Sequence, residues 1–207
     1  MVLWVLGLAG LSALVFALRH AGDDSGSARA AAVKTASTGL LALAAGMMAA
    51  PGWIVAGLVL GCLGDLALAR RGTAAFLAGM AAFALGHLAY AVEFWGRFAG
   101  AGALSLALIA GTAAMVLWCG LWLAPRAGAL AWPVRAYGLV IGAMVALAAL
   151  MPPGLALAGA LAFMASDLIL ALRLFVLQDP ARRLLAARVL WPLYWGSQAL
   201  ILAGTAG

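Results

Sequence analysis

Eight apolar blocks fill this chain, each about as long as a helix needs to be to cross a bilayer. They run over approximately 2–18, 33–50, 53–69, 74–95, 101–123, 133–151, 154–177 and 184–203. At about 1.5 Å of rise per residue, blocks of roughly 17 to 24 residues match a hydrocarbon core about 30 Å thick. Membrane β-strands are excluded, because they would alternate over about ten residues instead of running apolar throughout. The expected fold is an all-α integral membrane protein, a single bundle of eight transmembrane helices that makes one domain of residues 1–207. Composition agrees: 9% of residues are charged, where a soluble domain carries about 25%. No Lys or Arg precedes the first block and no small-residue cleavage site follows it, so it reads as helix one and not as a signal peptide. The longest polar stretch, 19–29, is expected to be a loop turning on Gly22-Asp23-Asp24-Ser25-Gly26.

The net charge of +6 invites a nucleic-acid partner, but the positions of the twelve basic residues speak against one. Eleven gather at alternate connections: Arg19, Arg29 and Lys34 at the first, Arg70 and Arg71 at the third, Arg126 and Arg135 at the fifth, and Arg173, Arg182, Arg183 and Arg188 at the seventh. Arg97 alone lies at an even one. By the positive-inside rule the odd connections are cytoplasmic, which puts both termini on the non-cytoplasmic side and requires an even number of spans. Trp4, Trp53, Trp95, Trp122, Trp132 and Trp191 lie near expected helix ends and read as interface anchors.

Against that background Asp65 and Asp167 require a reason. The chain has six acidic residues, and these two sit within apolar runs, Gly64-Asp65-Leu66-Ala67-Leu68 and Ser166-Asp167-Leu168-Ile169-Leu170. A carboxylate at membrane depth costs about 2.5 to 3.5 kcal/mol on insertion scales, so it is read as functional and a partner is sought. A single such Asp can also be a structural hydrogen-bonder or the partner of a snorkelling Arg; two at matched depth are harder to explain that way. Helices three and seven run in the same direction, which sets Asp65 about 7 Å and Asp167 about 9 Å from the arginines that end their helices. Helices two and six enter from that side and bring Lys34, Thr35 and Ser37, and Arg135 and Tyr137, into the same half of the bundle. A shared polar cavity is geometrically possible there.

Other polar residues at depth are His87 and Tyr90 on helix four and Tyr194 and Gln198 on helix eight, each pair spaced to share a face. Such a stripe is as natural for packing as for a site. Gly57 and Gly61 at four-residue spacing let helix three approach a neighbour closely. Cys62 and Cys119 are expected to pack as small hydrophobes. No metal and no cofactor are expected, since the two histidines are isolated and no His-x-x-x-His or Glu-x-x-His pattern occurs. A serine hydrolase is disfavoured by the lack of a Gly-x-Ser-x-Gly string.

An ordered set of short motifs gives these residues a context. Gly64-Asp65 is followed by Phe76, Gly79 and Gly86-His87-Leu88-Ala89-Tyr90; then come Tyr137-Gly138-Leu139-Val140-Ile141, Gly159 through Ala171 with Ser166-Asp167, and Tyr194 with Gln198-Ala199-Leu200-Ile201. Together they resemble the YhhN family of membrane proteins, whose characterised members are lysoplasmalogenases. The resemblance covers most of the chain. One departure is Lys34-Thr35, where the family often has Lys-Pro.

The resemblance implies hydrolysis of the vinyl ether bond of a lysoplasmalogen, a lysophospholipid, to a fatty aldehyde and a glycerophospho-ethanolamine or glycerophospho-choline. Asp65 and Asp167, at matched depth, fit that chemistry as the catalytic pair. One, as the acid, would protonate the vinyl ether; the other, as carboxylate, would stabilise the cation or activate water. Which is which is left open, with Arg70 and Arg71 tilting Asp65 toward the ionised role. Lys34 or Arg135 would meet the phosphate at the membrane surface, and His87, Tyr90, Tyr194 and Gln198 would orient water or the chain end. Expected partners are the lysophospholipid and surrounding membrane lipids. A small transporter or proton-coupled carrier using the same aspartates is the alternative. A two-aspartate intramembrane protease is disfavoured, because its Tyr-Asp and Gly-x-Gly-Asp contexts are missing. Eleven Arg to one Lys, with abundant Ala and Gly, suggests a GC-rich bacterium and hence its inner membrane.

Overall fold

A computed structural model describes residues 1–22 and 27–206, so the turn expected at Gly22-Asp23-Asp24-Ser25-Gly26 lies largely outside the described residues. All regular structure among the described residues is helical. Eight α-helices follow in order: α1 (Val2–Arg19), α2 (Ala28–Met47), α3 (Gly52–Leu68), α4 (Thr73–Gly96), α5 (Ala103–Trp118), α6 (Ala131–Ala149), α7 (Leu155–Phe175) and α8 (Pro180–Thr205). Five helical stretches are long and apolar enough to cross a membrane: 2–19, 28–47, 73–96, the continuous 103–149 and 155–175. The apolar α3 is 17 residues, shorter than any of these five stretches, and α8 is diluted by Arg182, Arg183 and Arg188 at its start and by Tyr194, Ser197 and Gln198 at its centre.

Several helices outrun the apolar blocks that announced them. α2 begins at Ala28 instead of 33, where the Ser27 side chain accepts from the Ala30 N–H. α8 begins at Pro180 instead of 184, with Asp179 Oδ1 accepting from the Arg182 N–H at 2.8 Å. Side-chain caps satisfy N–H groups that a helix start leaves orphaned, and Pro at the first position has no N–H to satisfy. The fifth block differs most. α5 stops at Trp118, a π-helical turn takes 119–123, and a tight helical segment over 124–130 continues to α6, reversing at Gly128 with φ 59°.

Consecutive helices pack as antiparallel pairs, except that α4 packs against α6 and not against α5. α3 and α4 lie close because glycine makes room: a Cβ at Gly57 would stand 2.3 Å from the Tyr90 ring, and one at Gly64 would stand 2.6 Å from Phe83. The same device brings α7 against α8, where a Cβ at Gly159 would stand 2.7 Å from the Ser197 carbonyl and one at Gly204 2.3 Å from the Ala156 nitrogen. Small residues at helix contacts are how helices gain van der Waals packing in lipid, where tail and side chain are equally apolar.

The first, third and seventh connections meet at one end, since a single cavity there is lined from 20–22, 69–71, Arg173 and Ala187. The even connections 99–102 and 150–154 meet at the other, where the Ala99 N–H donates to the Leu150 carbonyl at 2.9 Å. Arg97, the one basic residue at that end, pairs with Glu93 at 2.8 Å and donates to the Thr205 carbonyl at 2.7 Å, which fastens the end of α8. Trp191 departs from its expected interface role. It is 2% exposed and donates its indole N–H to the Ala13 carbonyl at 2.9 Å, joining α8 to α1 inside the bundle.

Candidate functional site

Asp65 lies on the inner face of α3, in the turn below Gly61 and Gly64, and its side chain is wholly buried. A buried carboxylate must be compensated on its lone pairs, and two helices supply partners. Lys34 Nζ from α2 stands 2.9 Å from Oδ1. Tyr194 OH from α8 donates to Oδ2 at 2.8 Å, and Thr38 Oγ1 from α2 donates to the same oxygen at 3.1 Å. Lys34 and Thr38 are four residues apart and so share one face of α2. The ammonium also lies 5.6 Å and 5.9 Å from the ring centres of Tyr194 and Trp191, within cation–π range. Asp65 is thus held as an ion pair by Lys34, and not by the neighbouring Arg70 and Arg71 that the sequence suggested.

Asp167, on α7, has a different environment and is 16% exposed. Tyr137 OH from α6 donates to its Oδ2 at 2.5 Å, and His87 Nε2 from α4 lies 2.9 Å from the Tyr137 oxygen and 3.3 Å from Oδ2. With the tyrosine hydroxyl donating to the carboxyl, the ring presents Nε2–H to this pair, which leaves Nδ1 as a buried acceptor without a partner among the described residues. An unfilled acceptor is easier to bury than an unfilled N–H. The His87 ring is 1% exposed and stands edge to face with Phe163 at 4.6 Å and Tyr137 at 5.5 Å, so its orientation is fixed by packing. Phe83, Phe163 and Tyr194 continue this aromatic wall between the two aspartates, with edge-to-face contacts at 5.4 to 6.5 Å.

Asp65 and Asp167, 102 residues apart in sequence, line one cavity of about 130 Å³. Lys34, Tyr137, Ser166 and Tyr194 complete its polar part; Phe76, Met80, Val134, Leu170, Leu174 and Phe175 give most of its apolar wall. Here is a small, largely apolar chamber with one carboxylate in an ion pair and a second carboxyl on a tyrosine–histidine pair. Such a chamber can hold a proton donor and a negative charge beside an apolar group with little competing water.

Of the residues singled out from sequence, Lys34, His87 and Tyr194 contact an aspartate. Three others do not. Arg135 points to the α5–α6 connection, donating to the Gly120 carbonyl at 3.1 Å with its guanidinium 5.0 Å from the Trp132 ring, and lines neither this cavity nor its entrance. The corrected reason is geometric: Arg135 and Tyr137 are two residues apart, so the helix that turns Tyr137 inward turns Arg135 away. Tyr90 is 1% exposed and lies over Gly57, outside the cavity. Gln198, fully buried one turn beyond Tyr194, packs over Gly61 and is also outside. Thr38 joins the site instead, as does Tyr137, which the sequence placed in this half of the bundle without a role. The i, i+4 spacing from Lys34 was the available signal for Thr38; for Tyr137 it was the single tyrosine on a helix whose one charged residue, Arg135, faces away.

A sequence profile of the YhhN family matches residues 29–205, which takes in every residue of both aspartate clusters. No curated protein matches the chain, and no solved structure does.

Proposed function

This chain belongs to the YhhN family, and from that premise we propose that it is an intramembrane lysoplasmalogenase, an ether-bond hydrolase acting on the vinyl ether of a lysophospholipid. The observation that carries the reading is the single chamber shared by Asp65 and Asp167, with unlike partners on each. In this reading the protein forms one bundle of eight spans in a bacterial inner membrane, with both termini outside the cytoplasm. A periplasmic reporter fused after Gly207 is then active, and activity only for a cytoplasmic reporter would mean an odd number of spans.

The mechanism assigns the two carboxyls by their surroundings. Asp65, with an ammonium and two hydroxyl donors on its oxygens, takes the part of the stabilising carboxylate in this reading. Asp167, with one oxygen taken by Tyr137 and the other lightly engaged, Ser166 Oγ being 3.4 Å away, is the acid. Its carboxyl proton goes to the β-carbon of the vinyl ether, giving an oxocarbenium cation on the adjacent carbon and oxygen. Asp65 stabilises that charge across the chamber. Water adds to the cationic carbon and returns a proton to Asp167; the hemiacetal then collapses to the aldehyde and the free glycerol hydroxyl. One water is consumed and the acid is regenerated. Acid–base contributions of this type are worth about 10²- to 10⁴-fold each.

The test is aldehyde release from lysoplasmenyl-ethanolamine by purified protein in maltoside micelles, with the diacyl lipid as control. A carrier is the second reading, favoured by the buried Lys34–Asp65 ion pair, since such pairs also mark ion pathways. Solute or proton flux in proteoliposomes without lipid turnover would replace the hydrolase with the carrier.

A further inference from the structure

The chamber does not end at the aspartates. A second cavity of about 350 Å³ adjoins it at the end where the first, third and seventh connections meet, sharing Lys34, Leu68, Phe76, Leu170, Leu174 and Leu190 with it. The walls change character along this path. The inner cavity is mainly apolar, whereas the outer one is rimmed by His20, Ser27, Arg70, Arg71 and Arg173, with no acidic side chain among its described lining residues. Lys34 stands at the junction with its charge taken by Asp65, so the positive charge of the outer cavity comes from the arginines.

A bias of arginines toward one membrane face is ordinary topology; their convergence on one cavity is more specific. Arg70 and Arg71 arrive from the end of α3, and Arg173 from the last turn of α7, the two helices that carry the aspartates. Arg173 is also fixed in place: its Nε donates to the Arg183 carbonyl at 3.2 Å while Arg183 Nη1 donates to the Arg173 carbonyl at 2.7 Å. At the helical rise, Arg173 is about 9 Å along the axis from Asp167, and Arg70 lies just past the end of α3, one turn and a little more beyond Asp65. A glycerol backbone spans that order of length between a chain attached at one end and a phosphate at the other. Guanidinium groups suit a phosphate because their planar donors meet two of its oxygens at once.

We propose that this outer cavity is the head-group site: Arg70, with Arg71 and Arg173, receives the phosphodiester of a single-chain lipid whose ether-linked end reaches Asp65 and Asp167. The protein therefore selects phosphorylated single-chain lipids over neutral ones. For the identity of the bond at the inner end this rests on the hydrolase reading, but the phosphate preference can be measured without catalysis.

The experiment is binding to the full-length protein in maltoside micelles, followed by tryptophan fluorescence. The probes are a saturated 1-O-alkyl-glycerophosphoethanolamine, which has no vinyl ether to cleave, the matching 1-O-alkylglycerol, glycerophosphoethanolamine and inorganic phosphate. The phospholipid is expected to bind at least about tenfold more tightly than the alkylglycerol, and Arg70→Gln to weaken it about tenfold with the alkylglycerol unaffected. Arg71→Gln serves as a second variant should Arg70→Gln fail to fold. Equal binding of the two lipids, or indifference of the phospholipid to both variants, overturns the proposal. Displacement of the lipid by inorganic phosphate as effectively as by glycerophosphoethanolamine also overturns it, assigning the cavity to a free anion. Turnover separates the two readings. Phosphate-dependent binding with no aldehyde release removes the hydrolase and keeps the head-group site; cleavage of an alkenylglycerol as efficiently as of lysoplasmenyl-ethanolamine keeps the hydrolase and removes the site.

Discussion

Replacing Lys34 by Met isolates the energetic bond between α2 and α3. The substitution keeps the length of the side chain and removes the ammonium 2.9 Å from a carboxylate whose side chain is 0% exposed. Breaking a buried pair from one side costs about 3 to 5 kcal/mol, because a charge is left uncompensated. Lys34 is 24% exposed, and water reaching the variant's cavity offsets part of this, so the expected loss is near the lower limit, about 3 kcal/mol. Asp65→Asn alone should lose about 1 to 2 kcal/mol, since Tyr194 and Thr38 still have an oxygen to bind. The double variant has neither charge to bury and should lose no more than Lys34→Met alone, a coupling of roughly 1 to 2 kcal/mol. Equilibrium unfolding in mixed dodecyl sulfate and maltoside micelles, followed by tryptophan fluorescence, measures all three. A loss below about 0.5 kcal/mol for Lys34→Met, with additive single effects, would refute the idea that this pair organises the site.

Three further substitutions probe other links. Tyr137→Phe removes the 2.5 Å bond to Asp167 and should lower aldehyde release about 10- to 100-fold with the unfolding midpoint little changed; unaltered turnover would take Tyr137 out of the mechanism. Gly57→Ala places a methyl 2.3 Å from the Tyr90 ring and should destabilise by about 1 to 3 kcal/mol in the same unfolding assay, as α3 and α4 are forced apart. Ala49→Gly should do the opposite. Ala49 holds φ 52° after α2, a conformation costing an alanine roughly 1 kcal/mol or more that glycine adopts freely, so the unfolding midpoint should rise.

Much of this molecule could be read from its sequence, for reasons that differ by feature. Block length predicts helices because only one backbone geometry suits a long apolar run in lipid, and all eight blocks are helical. Block edges mark where apolarity ends, which is not where hydrogen bonding ends. Ser27 and Asp179 extend α2 and α8 into polar segments, and the π-helical turn after Trp118 has no signature in apolar periodicity. Lys34 and Tyr194 stood out in the sequence because few polar residues occur at that depth, but their pairing with Asp65 did not: Lys34 was expected at a phosphate and Tyr194 at water or the chain end. Arg135 was misread because its charge was noticed and its facing was not, whereas Tyr137, two residues on, faces inward. Tyr90 and Gln198 share the spacing of site residues but pack over Gly57 and Gly61, a distinction set by which neighbouring helix presents a glycine and so invisible in one chain's spacing.

The central claim is that two aspartates from distant segments perform complementary parts of one reaction. The most direct test is aldehyde release from lysoplasmenyl-ethanolamine by Asp65→Asn and Asp167→Asn beside the unaltered protein, each checked for cooperative unfolding. The account predicts release by the unaltered protein and loss of at least about 10²-fold in both folded variants, because neither amide can supply a carboxylic proton or a negative charge. Release by either variant at the unaltered rate would contradict the division of roles.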